Sequence, residues 1–314
     1  MSFVAFGGRS NVRRFSCESQ REPVKASGGA RLLQALVSQP PTTYRGSVAS
    51  RKTLAIIGAG ALVDAWLPVM GAMRANGYEN VHSANAANFV LARVVYIGRQ
   101  LEGYTSRVPE GISHRDDFRT KLKGLKDAIA DALEGAQLAR KLVPRDEFSN
   151  VIRETVVEGS DEAAIVTTNW DSVVESEATN VHRGLKTFYL HGNTKGAGAI
   201  YLPTEIAEEP YRTEQEKTQL VAIRRDLVNA IAGATRVVLY GIAVSPLDVE
   251  LGQLLASGLH KSSVAEVHIV DPYFEEVGER VVTLLGDKSS NVKLFGRHPS
   301  LLSETTVLPP ARSG

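Results

Sequence analysis

A single cysteine, Cys17, stands in 314 residues. One thiol makes no intramolecular disulfide and no four-thiolate structural zinc site, so a reducing, cytoplasmic setting is the expectation. No apolar run approaches the roughly 20 residues of a membrane-spanning helix, and residues 1–30 hold no apolar core of the signal-peptide kind. Net charge is nearly absent: 36 Lys and Arg face 35 Asp and Glu, leaving +1. A dominant nucleic-acid or acidic-membrane role usually leaves a basic excess, so neither partner is expected. The seven histidines show no H-E-x-x-H or similar spacing, and no metal is expected. What remains is ordinary for a globular protein, with 43% hydrophobic and 23% charged residues. The length suits about two domains, or one large α/β domain with an insertion.

Residues 1–50 are rich in Ser, Arg, Gly and Pro and poor in apolar periodicity, which predicts a flexible extension. An organelle transit peptide shares that bias, and 31–38 has room for a helical turn or two. Beyond residue 50, short apolar runs alternate with helical patterns. TLAII at 53–57 predicts a first strand, Gly58-Ala59-Gly60 a turn, and 61–76 a helix closed by Gly77. Residues 83–158 are helical in pattern around an expected loop at 103–117, and form a helical insertion or small second domain. Further strands are expected at 164–166, 187–190, 235–240, 267–270 and 291–295, with helices at 213–233, 247–259 and 274–285. The stretch 196–210 is expected to be a loop, and 301–314 an irregular tail. The alternation predicts a Rossmann-like, doubly wound parallel sheet over 51–300, with the helical insertion inside it.

In such a sheet, ligands bind outside the carboxyl ends of the strands. Gly58 and Gly60 follow the first expected strand, Asn169 and Asp171 the second, and His191 the third. Gly241, Ser245 and Asp248 follow the fourth, and Asp271 the fifth. The glycines permit close backbone approach to a pyrophosphate, and Asp271 stands where a carboxylate can accept from ribose hydroxyls. Asn169 and His191 suit chemistry at an anomeric carbon, through an oxocarbenium-like state with a neutral pyridine leaving. Bland readings stand beside these. Asn169 and Asp171 suit a helix cap, Asp271-Pro272 and Ser245-Pro246 suit helix starts, and Trp66 and Trp170 suit core anchors.

TTNWD, YLHGN, VVLYGIAVSPLDVELGQLL and VHIVDP, in that order behind AIIGAGALVDAWLP, resemble the sirtuin-like domains, above all their bacterial NAD-hydrolysing branch. The resemblance covers roughly residues 53–285. It implies NAD as substrate, Asn169 and His191 as the catalytic pair, Asp171 at the nicotinamide pocket, and Ser245 and Asp248 in register with the family's later Ser and Asp. It also implies a homo-oligomer and a place in antiphage defence. Leu62, Trp66 and Ala243 depart from the family's small or hydroxyl residues, which favours as an alternative a non-catalytic sensor of NAD or an ADP-ribose-like nucleotide. The zinc module of the protein-deacylating members is missing. An NAD(P)-dependent oxidoreductase would rest on GAGALV and on Glu79 about 20 residues beyond it, but Val63 stands where the dinucleotide fingerprint has its third glycine.

Overall fold

The computed structural model describes residues 50–105, 112–194, 200–261 and 263–309. The expected N-terminal extension, apart from Ser50, lies outside these residues, as do the end of the tail and residues 196–199 of the expected 196–210 loop.

Seven strands form one sheet in the order β5-β4-β1-β6-β7-β8-β9. They are β1 (Lys52–Ile57), β4 (Glu162–Thr167), β5 (Thr187–Tyr189), β6 (Arg236–Tyr240), β7 (Glu266–Val270), β8 (Lys293–Arg297) and β9 (Thr306–Leu308). The first six are parallel, and taken in chain order they give the 3-2-1-4-5-6 arrangement of the doubly wound dinucleotide-binding fold. The chain is therefore Rossmann-like α/β. β9 pairs antiparallel with β8, so the expected irregular tail contributes an edge strand. Three residues, Thr306-Val307-Leu308, are too few to show a period.

Alternation along the central strands sends side chains to two separate cores. Ala55 and Ile57 of β1 join Ile165, Val238 and Tyr240 on one face. Leu54 and Ile56 join Ala164, Val237 and Leu239 on the other. Burial on both faces explains why these strands are apolar throughout rather than alternating with polar residues. The second face is covered by α6 (Glu214–Gly233), α7 (Val249–Lys261) and α8 (Phe274–Leu285). A Thr213–Glu216 capping box starts α6, and Val277, Val281 and Leu285 form the buried stripe of α8.

The first face is covered largely by the insertion. α2 (Ala84–Thr105) and α3 (Ile112–Leu138) place Leu91, Val95, Leu125 and Ile129 in the same cluster as Ile57 and Ile165. The loop expected at 103–117 shrinks, since both helices run into it despite Gly103. A larger difference follows β1. The helix expected from residue 61 begins at Leu67 as α1 (Leu67–Ala75). Ala59–Ala61 instead makes a 3₁₀ turn, and β2 (Leu62–Val63) pairs antiparallel with β3 (Val143–Pro144). Asp64 then turns with φ 51°, in the left-handed region. Tertiary pairing with the insertion has overridden the helical spacing of Ala61 to Asn76. After β3, α4 (Phe148–Val151) runs into a π-helical turn at Ile152–Val157, and α5 (Val173–Val181) follows β4.

His268 on β7 is 7% exposed and packs on Phe295 with ring centroids 4.8 Å apart. Burial, with Arg236 and Arg297 nearby, holds its pKa down to about 4 against the opposing pull of Glu266. The unfolded chain protonates this ring near 6.5 and the folded chain only near 4, so stability is full above 6.5 and drains as pH falls through that window. The loss amounts to at most about 3.5 kcal/mol. His268→Leu is therefore expected to flatten the fall of the thermal midpoint between about pH 6.5 and pH 4.5. Equal slopes for the two proteins, measured by calorimetry, would refute it.

Candidate active site

A cleft of about 550 Å³ opens at the carboxyl ends of the parallel strands, a size suited to a small-molecule ligand. Its walls include Gly58 and Gly60 after β1, Asn169 and Asp171 after β4, and His191 after β5. Gly241, Ser245 and Asp248 after β6 and Asp271 after β7 also face it. All nine candidate residues thus meet in one crevice, and Leu62, Trp66 and Ala243 line it too. Glu79 is exposed and is not among the lining residues.

The glycines form the floor by approaching one another. Gly58 N–H donates to Tyr240 O at 3.0 Å, and Gly60 N–H donates to Gly241 O at 2.9 Å. Gly241 has φ 60°, and a Cβ on it would lie 2.3 Å from Ala61 N. These two amides are thus occupied within the protein, and no helix starts directly behind the turn. The glycines thus serve backbone packing between two strand ends.

Asp171, Ser245 and Asp271 each have a local role. Asp171 Oδ1 accepts from Val173 N–H at 2.9 Å at the start of α5, while burial pushes its carboxyl up from the usual range. Ser245 Oγ accepts from Leu247 N–H at 3.2 Å, and Asp271 Oδ1 from Tyr273 N–H at 2.8 Å. Burial also raises the Asp271 carboxyl, against the opposing effects of the Tyr273 amide, Arg145 and Arg280. Each thus turns the chain locally just ahead of a helix while facing the cleft, although the N-cap residues of α5 and α8 are Ser172 and Tyr273 and make no side-chain cap hydrogen bond, and α8 starts beyond Pro272.

Asn169 and His191 differ from these. Asn169 is 6% exposed, and its Nδ2 has no hydrogen-bond partner among the described residues. A buried, unsatisfied donor in the wall of a cleft is what a ligand would complete. His191, equally buried, brings its Nε2 to 3.1 Å from Asp248 Oδ2. Burial alone would raise the Asp248 carboxyl, but the imidazole and the Leu251 N–H hold it below the ordinary range. With that carboxylate ionised, Nε2 carries a proton towards it, and in the neutral ring Nδ1 is the acceptor. The sequence matches no protein-family model and no curated protein. Among the described residues no group of three or more His, Cys, Asp or Glu is arranged to hold a metal ion, and no helix is long and apolar enough to cross a membrane.

Three features of the site escape sequence reasoning. Asp248 caps α7 through Oδ1 and holds His191 through Oδ2, a pairing across 57 residues. Arg145, from the insertion, reaches the glycine turn. The segment after residue 200, expected only as a loop, is bound to both candidate residues' surroundings. Tyr201 N–H donates to His191 O at 2.8 Å, and Trp170 Nε1 donates to Tyr201 O at 3.0 Å. Trp170 in turn meets Trp66 edge to face at 6.3 Å.

That segment is anchored by a fully buried carboxylate, Glu205. It accepts from Lys126 Nζ at 2.7 Å, Tyr211 OH at 2.9 Å and Leu202 N–H at 2.7 Å, and it pairs with Arg212 at 3.2 Å. Burial pushes its carboxyl up, yet Lys126 and Arg212 bring it below the usual range. Deleting one member of such a cluster strands the others. Glu205→Ala is expected to cost about 3–5 kcal/mol in chemical denaturation. A loss under about 1 kcal/mol would show that the cluster does not fix the segment.

Proposed function

We propose that the protein is an NAD glycohydrolase that cleaves NAD to nicotinamide and ADP-ribose. The observation that carries this reading is the unsatisfied Nδ2 of Asn169 in the same cleft as the Asp248-bound His191. The strand order adds support, because the reversal between β4 and β6 on either side of β1 is where dinucleotides bind in this fold. The likeness of TTNWD and YLHGN to the sirtuin-like motifs agrees with it.

In the proposed reaction the bond from the ribose anomeric carbon to the nicotinamide nitrogen breaks, and its electron pair leaves with a neutral nicotinamide. Asn169 Nδ2 donates to the incoming water or to a ribose oxygen and holds it over that carbon. His191 Nδ1 takes the proton as the water oxygen bonds to the sugar, and then releases it to solvent. Asp248 fixes the tautomer and stabilises the imidazolium. Burial of the pair keeps bulk water away and strengthens these interactions.

A second reading, a nucleotide sensor without turnover, is favoured by the occupied amides of Gly58 and Gly60 and by Leu62, which is buried in the core at 1% exposure. The two readings separate when purified protein is incubated with NAD and nicotinamide release is followed. Turnover is expected, with His191→Ala and Asn169→Ala each lowering kcat by about 10²–10⁴. Asp248→Asn, which presents an amide donor to Nε2 and drives the proton to Nδ1, is expected to lower kcat by a similar factor at nearly constant KM. Binding without turnover establishes the sensor. An Asp248→Asn enzyme of wild-type rate removes the proposed role of His191.

A further inference from the structure

The cleft is short of positive charge for an anionic ligand. Its described walls hold the carboxyl groups of Asp64, Asp171, Asp248 and Asp271, and among those residues Arg145 is the only Lys or Arg. A pyrophosphate brought here meets no free amide from Gly58, Gly60 or Ala61, since those three donate to Tyr240 O, Gly241 O and Gly58 O. The helix that would lend its N-terminal field starts six residues beyond the turn's end, at Leu67.

Arg145 stands at the glycine turn. The β2–β3 ribbon delivers it, because it directly follows Pro144, which pairs with Leu62. Its backbone N–H donates to Ala61 O at 3.1 Å, and its side-chain Nε donates to Gly60 O at 2.7 Å. The guanidinium is thus held against the glycine turn by one edge, while its remaining N–H groups keep their donor capacity. Its charge, together with that of Arg280, also acts on the Asp271 carboxyl at the end of β7. Arg145 is solvent-exposed and tethered by that one edge, and a guanidinium is the side chain best matched to phosphate oxygens.

We infer that Arg145, supplied by the helical insertion, is the pyrophosphate ligand of this cleft and selects phosphate-bearing nucleotides over nucleosides. The inference rests on the dinucleotide reading for its ligand, but not on hydrolysis. Titration calorimetry with ADP and with adenosine, on the wild type, Arg145→Gln and Arg145→Lys, tests it. ADP affinity is expected to fall at least about tenfold in Arg145→Gln and less in Arg145→Lys, with adenosine affinity the same in all three. In turnover, Arg145→Gln is expected to raise KM for NAD by about tenfold, with little change for nicotinamide riboside, which lacks the pyrophosphate. Equal losses for ADP and adenosine would make Arg145 a strut for the Gly60 carbonyl and overturn the inference. So would an unchanged KM for NAD, or no ADP binding by the wild type. Arg145-dependent ADP binding without NAD cleavage keeps the inference and removes the hydrolase reading; NAD cleavage indifferent to Arg145 does the reverse.

Discussion

The turns that follow β1 and β6 lie backbone against backbone, and the cleft is built on that contact. Gly60 and Gly241 share a 2.9 Å hydrogen bond, and a Cβ on Gly60 would fall 2.8 Å from the Gly241 Cα. From β1 the chain moves outward to β4 and β5 on one side, then crosses to β6 on the other. The connections therefore diverge above this pair of turns and leave a crevice between them. Larger residues at Gly58, Gly60 or Gly241 would force the two strand ends apart and fill the floor.

Around that floor, the polar groups divide into those that complete the fold and those that do not. Asp171, Ser245 and Asp271 each accept a backbone amide within a few residues, which is how a polar cluster after a strand turns the chain into the next helix. Asp248 does the same through one oxygen and spares the other for His191. Asn169 Nδ2 is left over. The unmet donor and the oriented imidazole belong to the β4 and β5 loops, whereas Arg145, from the insertion, is bound to the glycine turn. The dinucleotide proposed as ligand carries its groups in a similar division, with a sugar–base bond near one end and phosphate towards its middle.

The insertion is tied to the site as well as to the sheet. Its helices cover one face of the β-sheet, and Lys126 and Arg99 reach across to the buried carboxylates Glu205 and Glu209. Gln137 on α3 exchanges hydrogen bonds with Ser172 at the start of α5, just beyond Asp171. Two sequence-distant segments, 126–145 and 200–212, are thereby held around the Asn169 and His191 loops. Packing at these contacts has few small adjustments open to it, because Glu205 and Arg212 are buried and mutually paired.

Much of the architecture is legible in the chain itself. The apolar runs at β1, β4, β6 and β7 are continuous because both faces of each strand are buried, and the polar residues just beyond them mark the edge of the sheet where the cleft opens. Local pattern was sufficient where the controlling interactions are local: the strands seen as β1, β4, β6 and β7, and the helices expected at 213–233 and 274–285 and seen as α6 and α8. Tertiary structure decided the rest. Leu62-Val63 became a ribbon strand instead of a helical turn because Val143-Pro144 came to meet it, and the glycine amides turned inward because a second strand end lay against them. His191 acquired Asp248, and the glycine turn acquired Arg145, across 57 and 85 residues of chain. Side-chain partners at such separations are set by the folded path, and no periodicity of 2 or 3.6 residues encodes them.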